Sequence, residues 1–491
     1  MHPPVHTDTI VALATPPGQG AIAILRMSGE EAIDICNRVF PAKDLSQQAG
    51  HTIHFGTIRD GKQVMDEVLV SLFKSPHSYT RENLVEISCH GSNYIVQQII
   101  QVLLGQGARL AKPGEFTQRA FLNGQFDLAQ AEAVADLIAS DSQASHQTAM
   151  NQMRGGFSKE IRELRESLIH FASMIELELD FSEEDVEFAS RTELKTLVEK
   201  IQQVIRPLID SFKLGNAMKS GVPIVIAGKP NAGKSTLLNA LLNEEKAIVS
   251  DIPGTTRDFI EDEITIEGIK FRFIDTAGLR DTDDTIEALG VERTREQLKK
   301  AAVIIYMIDL GDGEIKDVKQ ELDLVREQLV NQQPSSAPIN IGATAGRQAH
   351  KPSFTKVSVG AHAPTPTLFV GNKVDKVSEE FADSLKDLDI IVLSALNKSN
   401  LEELKTRILE AVNLGSIGKD QTLVTSLRHY QSLQQTNSAL SDVLRGIDQQ
   451  VTNDFLALDI RTALHHLGEI TGEITTEDLL ENIFSKFCIG K

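Results

Sequence analysis

The sequence predicts a multidomain α/β plus α protein, and three changes of texture along the chain predict it. Residues 1–122 carry short β-like runs broken by Gly and Pro with helical runs between them, as an α+β domain does. Residues 123–219 and 414–491 share helical apolar spacing with almost no Pro. Residues 220–413 alternate apolar strands with helical stretches, the pattern of a mostly parallel α/β sheet. Neither helical piece could bury its apolar face well alone. The simplest arrangement is therefore one helical domain interrupted by an inserted α/β domain. At 491 residues the chain is too long for one core and suits about two to four domains.

In the first domain "DTIVALATPPGQGAIAILRMSG" reads as strand, turn, strand, with Pro16-Pro17-Gly18 as the break. "DEVLVSLFKSP" and "ENLVEISCHG" read as further strands, and "SGEEAIDICNRVF" and "NYIVQQIIQVLLGQG" have helical spacing. The helical texture opens at "QFDLAQAEAVADLIAS" and returns in "SLRHYQSLQQTNSALSDVLRGI" and "DIRTALHHLGEITGEI". The acidic stretch "ELELDFSEEDVEF" (176–188) reads as a solvated helix face or bend rather than a metal site. Within the α/β block, residues 331–367 are rich in Pro, Ser, Ala, Thr and Gly and read as a long, mobile surface insertion.

Composition narrows the function classes. Net charge is −20, so a dedicated nucleic-acid binder with a basic footprint is not expected. Contact with nucleic acid would need a local basic patch or a more basic partner. No apolar run reaches the length of about 18 residues that a membrane span needs. "MHPPVHTDTI" lacks a basic and then apolar leader, so no signal peptide is expected. Cys36, Cys89 and Cys488 lie far apart without a CxxC pair, which argues against a disulfide framework or zinc knot and for a reducing cytoplasm. Cys36 sits in an apolar helical run and Cys89 ends a strand, and both read as packing residues; neighbours Cys89 and His90 would face opposite sides of a strand, which disfavours a dyad.

The α/β block carries the clearest chemistry. "VPIVIAGKPNAGKSTLLNALL" is a strand, a Gly-rich loop and a helix, and Gly228–Ser235 fits G-x-x-x-x-G-K-[ST]. Such a loop, here Asn231, Ala232, Gly233, Lys234, Ser235 and Thr236, wraps backbone N–H groups around a β-phosphate at a helix N-terminus. Lys234 would reach the β/γ-phosphates and Ser235 would ligate Mg²⁺. Downstream, "DTAG" places Asp275, Thr276, Ala277 and Gly278 after a strand, with Asp275 suited to an outer contact to Mg²⁺ and the Gly278 N–H to a γ-phosphate. "SDIPGTT" (Ser250, Asp251, Ile252, Pro253, Gly254, Thr255, Thr256) lies between loop and strand, where a switch Thr closes on Mg²⁺. Asn372-Lys373-Val374-Asp375 reads as a guanine reader, because a carboxylate accepts from the guanine N1–H and exocyclic amine, which adenine cannot mimic. Ser394-Ala395-Leu396 then offers a backbone N–H to guanine O6. After "DTAG" comes Leu279, which cannot orient water; Asp281, Asp283, Asp284, Glu287 and Glu292 follow it.

"GKPNAGKS", "DIPGTTRD", "DTAGLR" and the ending "FCIGK" together resemble the tRNA modification GTPase family MnmE, also called TrmE. So do "ATPPGQGAIAILRMSG", "KPGEFTQRAFLNGQFDLAQAEAVADLI" and "GEITGE"; the resemblance spans essentially the whole chain except 331–367. It implies an N-terminal domain that dimerises and binds a tetrahydrofolate derivative (5-formyl or methylene type), a helical domain, and an inserted Ras-like G domain. It implies GTP hydrolysis stimulated by potassium as two G domains approach in a homodimer. It also implies a partner, MnmG, which carries FAD; together they would form a heterotetramer that adds a carboxymethylaminomethyl-type group to C5 of the wobble uridine, U34, of certain tRNAs.

By motif, the resemblance assigns K⁺ to Asn231, Ser250, Ile252 and Thr255, and Mg²⁺ to Ser235 and Thr256. It makes Glu287 the water-orienting acid, in answer to Leu279. Folate contacts fall on Arg26, Glu86 and Lys491. Gln125 stands where the family leads one to expect a basic residue; it can hydrogen-bond but cannot pair with a glutamate-tail carboxylate. Cys488 has the position of a C-a-a-X cysteine, yet Lys491 is charged and Gly490 is not aliphatic, so lipidation is disfavoured. The resemblance instead brings Cys488 to the folate pocket as a candidate active-site thiol. The competing class is a regulatory or ribosome-associated GTPase switch without modification chemistry, which a G domain alone does not separate.

Overall fold

The computed structural model describes residues 8–180, 190–246, 262–274, 301–311, 314–331, 365–385, 388–412 and 423–490. Most of the expected insertion, 332–364, lies outside them. The chain divides into two compact units, Met1–Lys219 with Thr422–Lys491, and Ser220–Gln421.

The first unit opens with β1 (Ile10–Leu13), β2 (Gly20–Ser28), α1 (Ala32–Val39), β3 (Thr52–Asp60), β4 (Gln63–Phe73), β5 (Leu84–Gly91), α2 (Asn93–Gly105) and β6 (Arg109–Leu110). Helices α3 (Glu115–Leu122), α4 (Leu128–Ala139), α5 (Gln143–Met153), α6 (Gly156–Asp180) and α7 (Arg191–Ser220) follow. The second unit contains β7 (Val222–Gly228), α8 (Lys234–Lys246), β8 (Asp262–Ile266), β9 (Ile269–Phe273) and β10 (Val303–Asp309). It continues with α9 (Ile315–Asn331), β11 (Thr367–Asn372), α10 (Glu379–Ser384), β12 (Ile390–Val392) and α11 (Leu401–Ala411). The chain then returns to the first unit with α12 (Leu427–Asp448), α13 (Asn453–Thr471) and α14 (Glu477–Phe484).

The N-terminal sheet has the order β3-β4-β5-β2-β1-β6. Alternation along its strands sorts two faces. Ala23, Leu25 and Met27 of β2 pair with Cys89, Ile87 and Val85 of β5 and bury one face in a core shared with α1 and α2. The intervening residues Ile22, Ile24 and Arg26 take the other face. Cys89 is buried in that core and its neighbour His90 faces outward to Asp66, so no Cys–His pair forms.

The helical core draws on both sides of the long excursion. Phe157, Ile161, Leu168 and Ile175 of α6, Leu194, Val198, Ile201, Ile205 and Leu208 of α7, and Leu456, Ile460, Ala463, Leu467 and Ile470 of α13 recur at spacings of three, four or seven. That spacing puts each set on one helix stripe, and the three stripes close on Leu433, Leu440 and Val443 of α12. Glu178 departs from the expected solvated acidic face: it is 4% exposed, and Arg191 Nη2 and Asn453 Nδ2 donate to it at 2.9 and 2.8 Å. A carboxylate is tolerated there because both neighbours hydrogen-bond it. Residues 181–188 of the same stretch lie outside the described residues.

A second ionic group ties α4 to α12. Arg428 donates to Glu132 through Nε at 2.9 Å and Nη2 at 3.0 Å, and His429 Nε2 lies 2.7 Å from the same carboxylate. Burial raises the Glu132 pKa, but His429 and Arg428 outweigh it and hold the carboxyl well below its ordinary value. A depressed carboxyl pKa gives stability that is present above the unfolded value of about 4.3 and is lost as pH falls beneath it. Glu132→Gln is therefore expected to cost about 3 kcal/mol in urea unfolding at pH 7. The gap between variant and wild type should narrow steadily below about pH 4, and a gap constant with pH would contradict the assignment.

The second unit is a sheet of order β12-β11-β10-β7-β9-β8, parallel except for the β8–β9 hairpin. Val303, Ile304, Ile305, Met307 and Ile308 make β10 an almost unbroken apolar run, as a strand covered on both faces requires. Ligand loops in such sheets lie beyond the carboxyl ends of the strands, here after β7 and β11.

Candidate functional sites on the two units

The loop after β7 is shaped by close backbone approach. A Cβ on Gly228, at φ +146°, would lie 2.4 Å from the Met307 carbonyl oxygen. A Cβ on Gly233, at φ +95°, would lie 2.2 Å from Asn372 Nδ2. Only glycine fits either place. Asn231 also has positive φ, at 65°, a conformation Asn tolerates. Lys234 opens α8 and turns its ammonium back over the loop, donating to the carbonyls of Gly228 at 3.0 Å and Lys229 at 2.8 Å. Burial lowers its pKa. A partly desolvated cation hydrogen-bonded to neutral carbonyls, at a helix N-terminus, fits an anionic ligand such as a nucleotide phosphate. Ala232 is buried, Ser235 half-buried and Thr236 exposed.

The loops after β11 and β12 are stitched to this one. Asn372 is 3% exposed; its Nδ2 donates to the Ala232 carbonyl at 2.9 Å and its Oδ1 accepts from the Ala395 N–H at 2.9 Å. Lys373, at φ +69°, pairs with Asp309. The Val374 N–H donates to Leu393 O at 3.2 Å. The Asp375 carboxylate accepts from Ser394 Oγ, and Ser394 is pinned in turn by Ser399. Leu396 is 74% exposed at the rim. Residues 232, 372, 375, 394 and 395 thus meet in one place although about 160 positions separate the first from the last. Ser250, Asp251, Ile252, Pro253, Gly254, Thr255, Thr256, Asp275, Thr276, Ala277, Gly278 and Glu287 lie outside the described residues.

The first unit holds a different arrangement. Arg26 lies inside β2, opposite Glu86 of β5, and donates to it through Nε at 2.9 Å. Its side chain is 16% exposed, and its guanidinium sits 5.3 Å from the Tyr79 ring and 5.8 Å from the Phe116 ring. Sequence reading did not single out Tyr79 or Phe116, because they come from separate segments that only the fold brings together. The chain's end docks on this group. Phe484 and Phe487 pack with Leu128 and Ala131, the Gly114 N–H donates to Cys488 O at 3.4 Å, and Arg26 Nη1 donates to Gly490 O at 3.2 Å. Cys488 is exposed, whereas Cys36 and Cys89 are buried, with burial pushing their thiols up to about 12 and about 11. Lys491 lies outside the described residues.

Comparison with known proteins places both arrangements in one context. The MnmE helical domain family matches residues 128–488, and the family of the GTP-binding protein TrmE N-terminus matches residues 9–125. The chain belongs to the MnmE family. Among its relatives, the tRNA modification GTPase MnmE of Cytophaga hutchinsonii is 56% identical over 487 residues, covering 99% of this chain and 98% of that one. The corresponding protein of Flavobacterium psychrophilum is 50% identical over 492 residues, covering 99% and 100%. A solved G domain of the T. maritima FeoB iron transporter is 22% identical over 39% of this chain and 98% of its own, with a TM-score of 0.24, too low to bear on the fold.

Within this MnmE-family chain, Gln125 is exposed beside the Arg26 group rather than in it. It accepts at 3.1 Å from Nε of Arg81, a residue that sequence reading passed over. No helix among the described residues is long and apolar enough to cross a membrane.

Proposed function

We propose that this chain, with an FAD-carrying MnmG partner, uses GTP hydrolysis and a tetrahydrofolate derivative to add a carboxymethylaminomethyl-type group to C5 of U34 in certain tRNAs. Family membership supplies the coarser statement, a GTPase acting in tRNA modification. The observation that carries the finer one is the docked tail: an exposed thiol at Cys488 is tied through Gly490 to the Arg26–Glu86 pair. A switch without chemistry has no use for that arrangement.

In the nucleotide unit, Lys234 would hold the phosphates, Ser235 and Thr256 the Mg²⁺, and Asp375 the guanine edge. Glu287 would orient the attacking water. Mg²⁺ would supply charge neutralisation at the phosphates. In the other unit, Arg26 and Glu86 offer a donor and an acceptor beside two aromatic faces, which suits the fused polar ring of a folate. The same sheet face exposes Ile22, Ile53, Phe55 and Leu69, at 66, 66, 67 and 46%. Cross-strand register links Ile53, Ser71, Glu86 and Arg26 in one row and Phe55, Leu69, Ser88 and Ile24 in the next. An apolar face of that extent supports a homodimer formed there.

Nucleoside mass spectrometry of bulk tRNA from cells lacking the gene tests the reading. Loss of C5-substituted wobble uridines is expected, and an unchanged nucleoside profile would overturn it. For the potassium assignment to Asn231, Ser250, Ile252 and Thr255, exchange of K⁺ for Na⁺ should slow GTP turnover by about tenfold or more. Equal turnover in the two salts, read by phosphate release, would remove K⁺ from the site.

A further inference from the structure

Arg81 stands in a loop where its backbone is unfavourable for any side chain. Its φ is +62°, and a non-glycine residue in that region costs about 1 kcal/mol. Such a residue persists only where its surroundings over-determine it, and the observation then points towards function. The surroundings do so here. Ser75 Oγ donates to the Arg81 carbonyl at 2.8 Å, and the Arg81 N–H donates to Ser78 O at 3.3 Å. Its side chain donates through Nε to Gln125 Oε1 and through Nη1 to Asn123 O, each at 3.1 Å. Asn123 Nδ2 donates back to Thr80 O at 2.7 Å, so the two loops are locked to each other.

Those contacts leave Nη2 without a hydrogen bond among the described residues, on an exposed side chain. No carboxylate in the described structure neutralises Arg81, unlike Arg26, Arg109, Arg119 and Arg428, each of which is paired. Its position relative to the Arg26 group follows from the same two loops. Tyr79, two residues before Arg81, lies against the Arg26 guanidinium. Its ring also meets Phe126, the neighbour of Gln125, edge to face at 5.7 Å between centroids. Contacts therefore run from Arg26 through Tyr79 to Phe126, and Gln125, next to Phe126 in the chain, holds Arg81. A ligand whose ring system rests by Arg26 and whose flexible arm carries carboxylates would extend its arm past Tyr79 towards the free edge of Arg81.

We propose that Arg81 forms a carboxylate-binding subsite for the glutamate end of the folate, with Gln125 acting as the residue that positions it. This rests on the folate reading given above. It also accounts for an amide at position 125: Gln125 turns its oxygen to Nε and fixes the guanidinium plane, a task a lysine there could not perform beside a second cation.

Isothermal titration of the full-length protein tests this with two ligands, 5-formyltetrahydrofolate and the same compound without its glutamate, 5-formyltetrahydropteroate. Arg81→Gly is the informative variant, because glycine adopts φ +62° without strain and the loop keeps its shape. It is expected to weaken 5-formyltetrahydrofolate about tenfold, the loss of one charge-assisted hydrogen bond. It should leave the pteroate ligand within about twofold, and GTP turnover unchanged. Equal weakening of both ligands would make Arg81 a structural residue and overturn the subsite. Wild-type affinity for both ligands in Arg81→Gly would overturn the subsite and leave the folate reading standing. Absence of binding of either ligand to the wild type would overturn both.

Discussion

Asp375→Asn is expected to lower GTP affinity at least about a hundredfold and to create affinity for xanthosine triphosphate. Guanine presents two adjacent donors, N1–H and the exocyclic amine, and an ionised carboxylate accepts both. An amide at the same place turns a donor towards a donor and leaves buried polar groups unpaired, which is the most discriminating kind of mismatch. Xanthine carries an oxygen where guanine carries the amine, and an amide donates to it. The structure makes the exchange a clean one. Asp375 is oriented by the Ser394 hydroxyl, which asparagine can still accept from, and its loop is anchored separately by Asn372 to Ala232 and Ala395. The variant should therefore keep its fold and its phosphate loop while changing its base. Competition of labelled GTP against unlabelled GTP and XTP reads both arms. Retained preference for GTP in the variant would remove Asp375 from the base site.

Gly490→Ala is expected to reduce tRNA modification by more than about tenfold while leaving GTP hydrolysis as it is. Gly490 has φ +92°, and a Cβ there would lie 2.2 Å from the Leu13 carbonyl oxygen and 2.9 Å from Ala14 Cα. Those are backbone atoms at the end of β1 and cannot swing aside as a side chain could, so the tail must leave its seat. The Arg26 bond to Gly490 O goes with it, and the one anchored on Cys488 O is weakened. Cys488→Ser makes the complementary change, removing the thiol and leaving the seat intact. If the thiol acts chemically, both variants lose modification. If the tail serves only to close the pocket, Cys488→Ser stays active and Gly490→Ala does not. Nucleoside mass spectrometry of tRNA from complemented cells and a phosphate-release assay separate these outcomes. Normal modification by Gly490→Ala would show that docking is not needed.

Much of the architecture was legible in the letters because burial leaves a periodic mark. The parallel sheet is announced by the unbroken apolar run at Val303–Ile308 and its companions. The helical core is announced by the same three-and-four spacing before and after the α/β block. The nucleotide loop was legible for another reason. Phosphate-binding backbone demands glycine at fixed places, and Gly228 and Gly233 are where any side chain would collide with Met307 and Asn372.

Other features had no such mark. Glu178 reads as one more acid in an acidic run, and only the approach of Arg191 and Asn453 makes it a buried, paired carboxylate. Tyr79 and Arg81 carry no motif, and nothing in the KPGEF stretch marks Phe116 as a neighbour of Arg26, since ring and guanidinium contacts need only proximity, not spacing.

By itself, the sequence determined the class of each domain and the glycine pattern of the loop after β7, whereas the tail entered only through family resemblance. Those depend on periodicity and on residue types that local geometry enforces. Tertiary structure alone decided that Asn372 bridges two loops 140 and 23 residues away, that Arg26 donates to the Gly490 carbonyl, and that Gln125 accepts from Arg81. Each is a contact between distant segments, and a hydrogen bond of about 3 Å exists only once the packed core has fixed both partners.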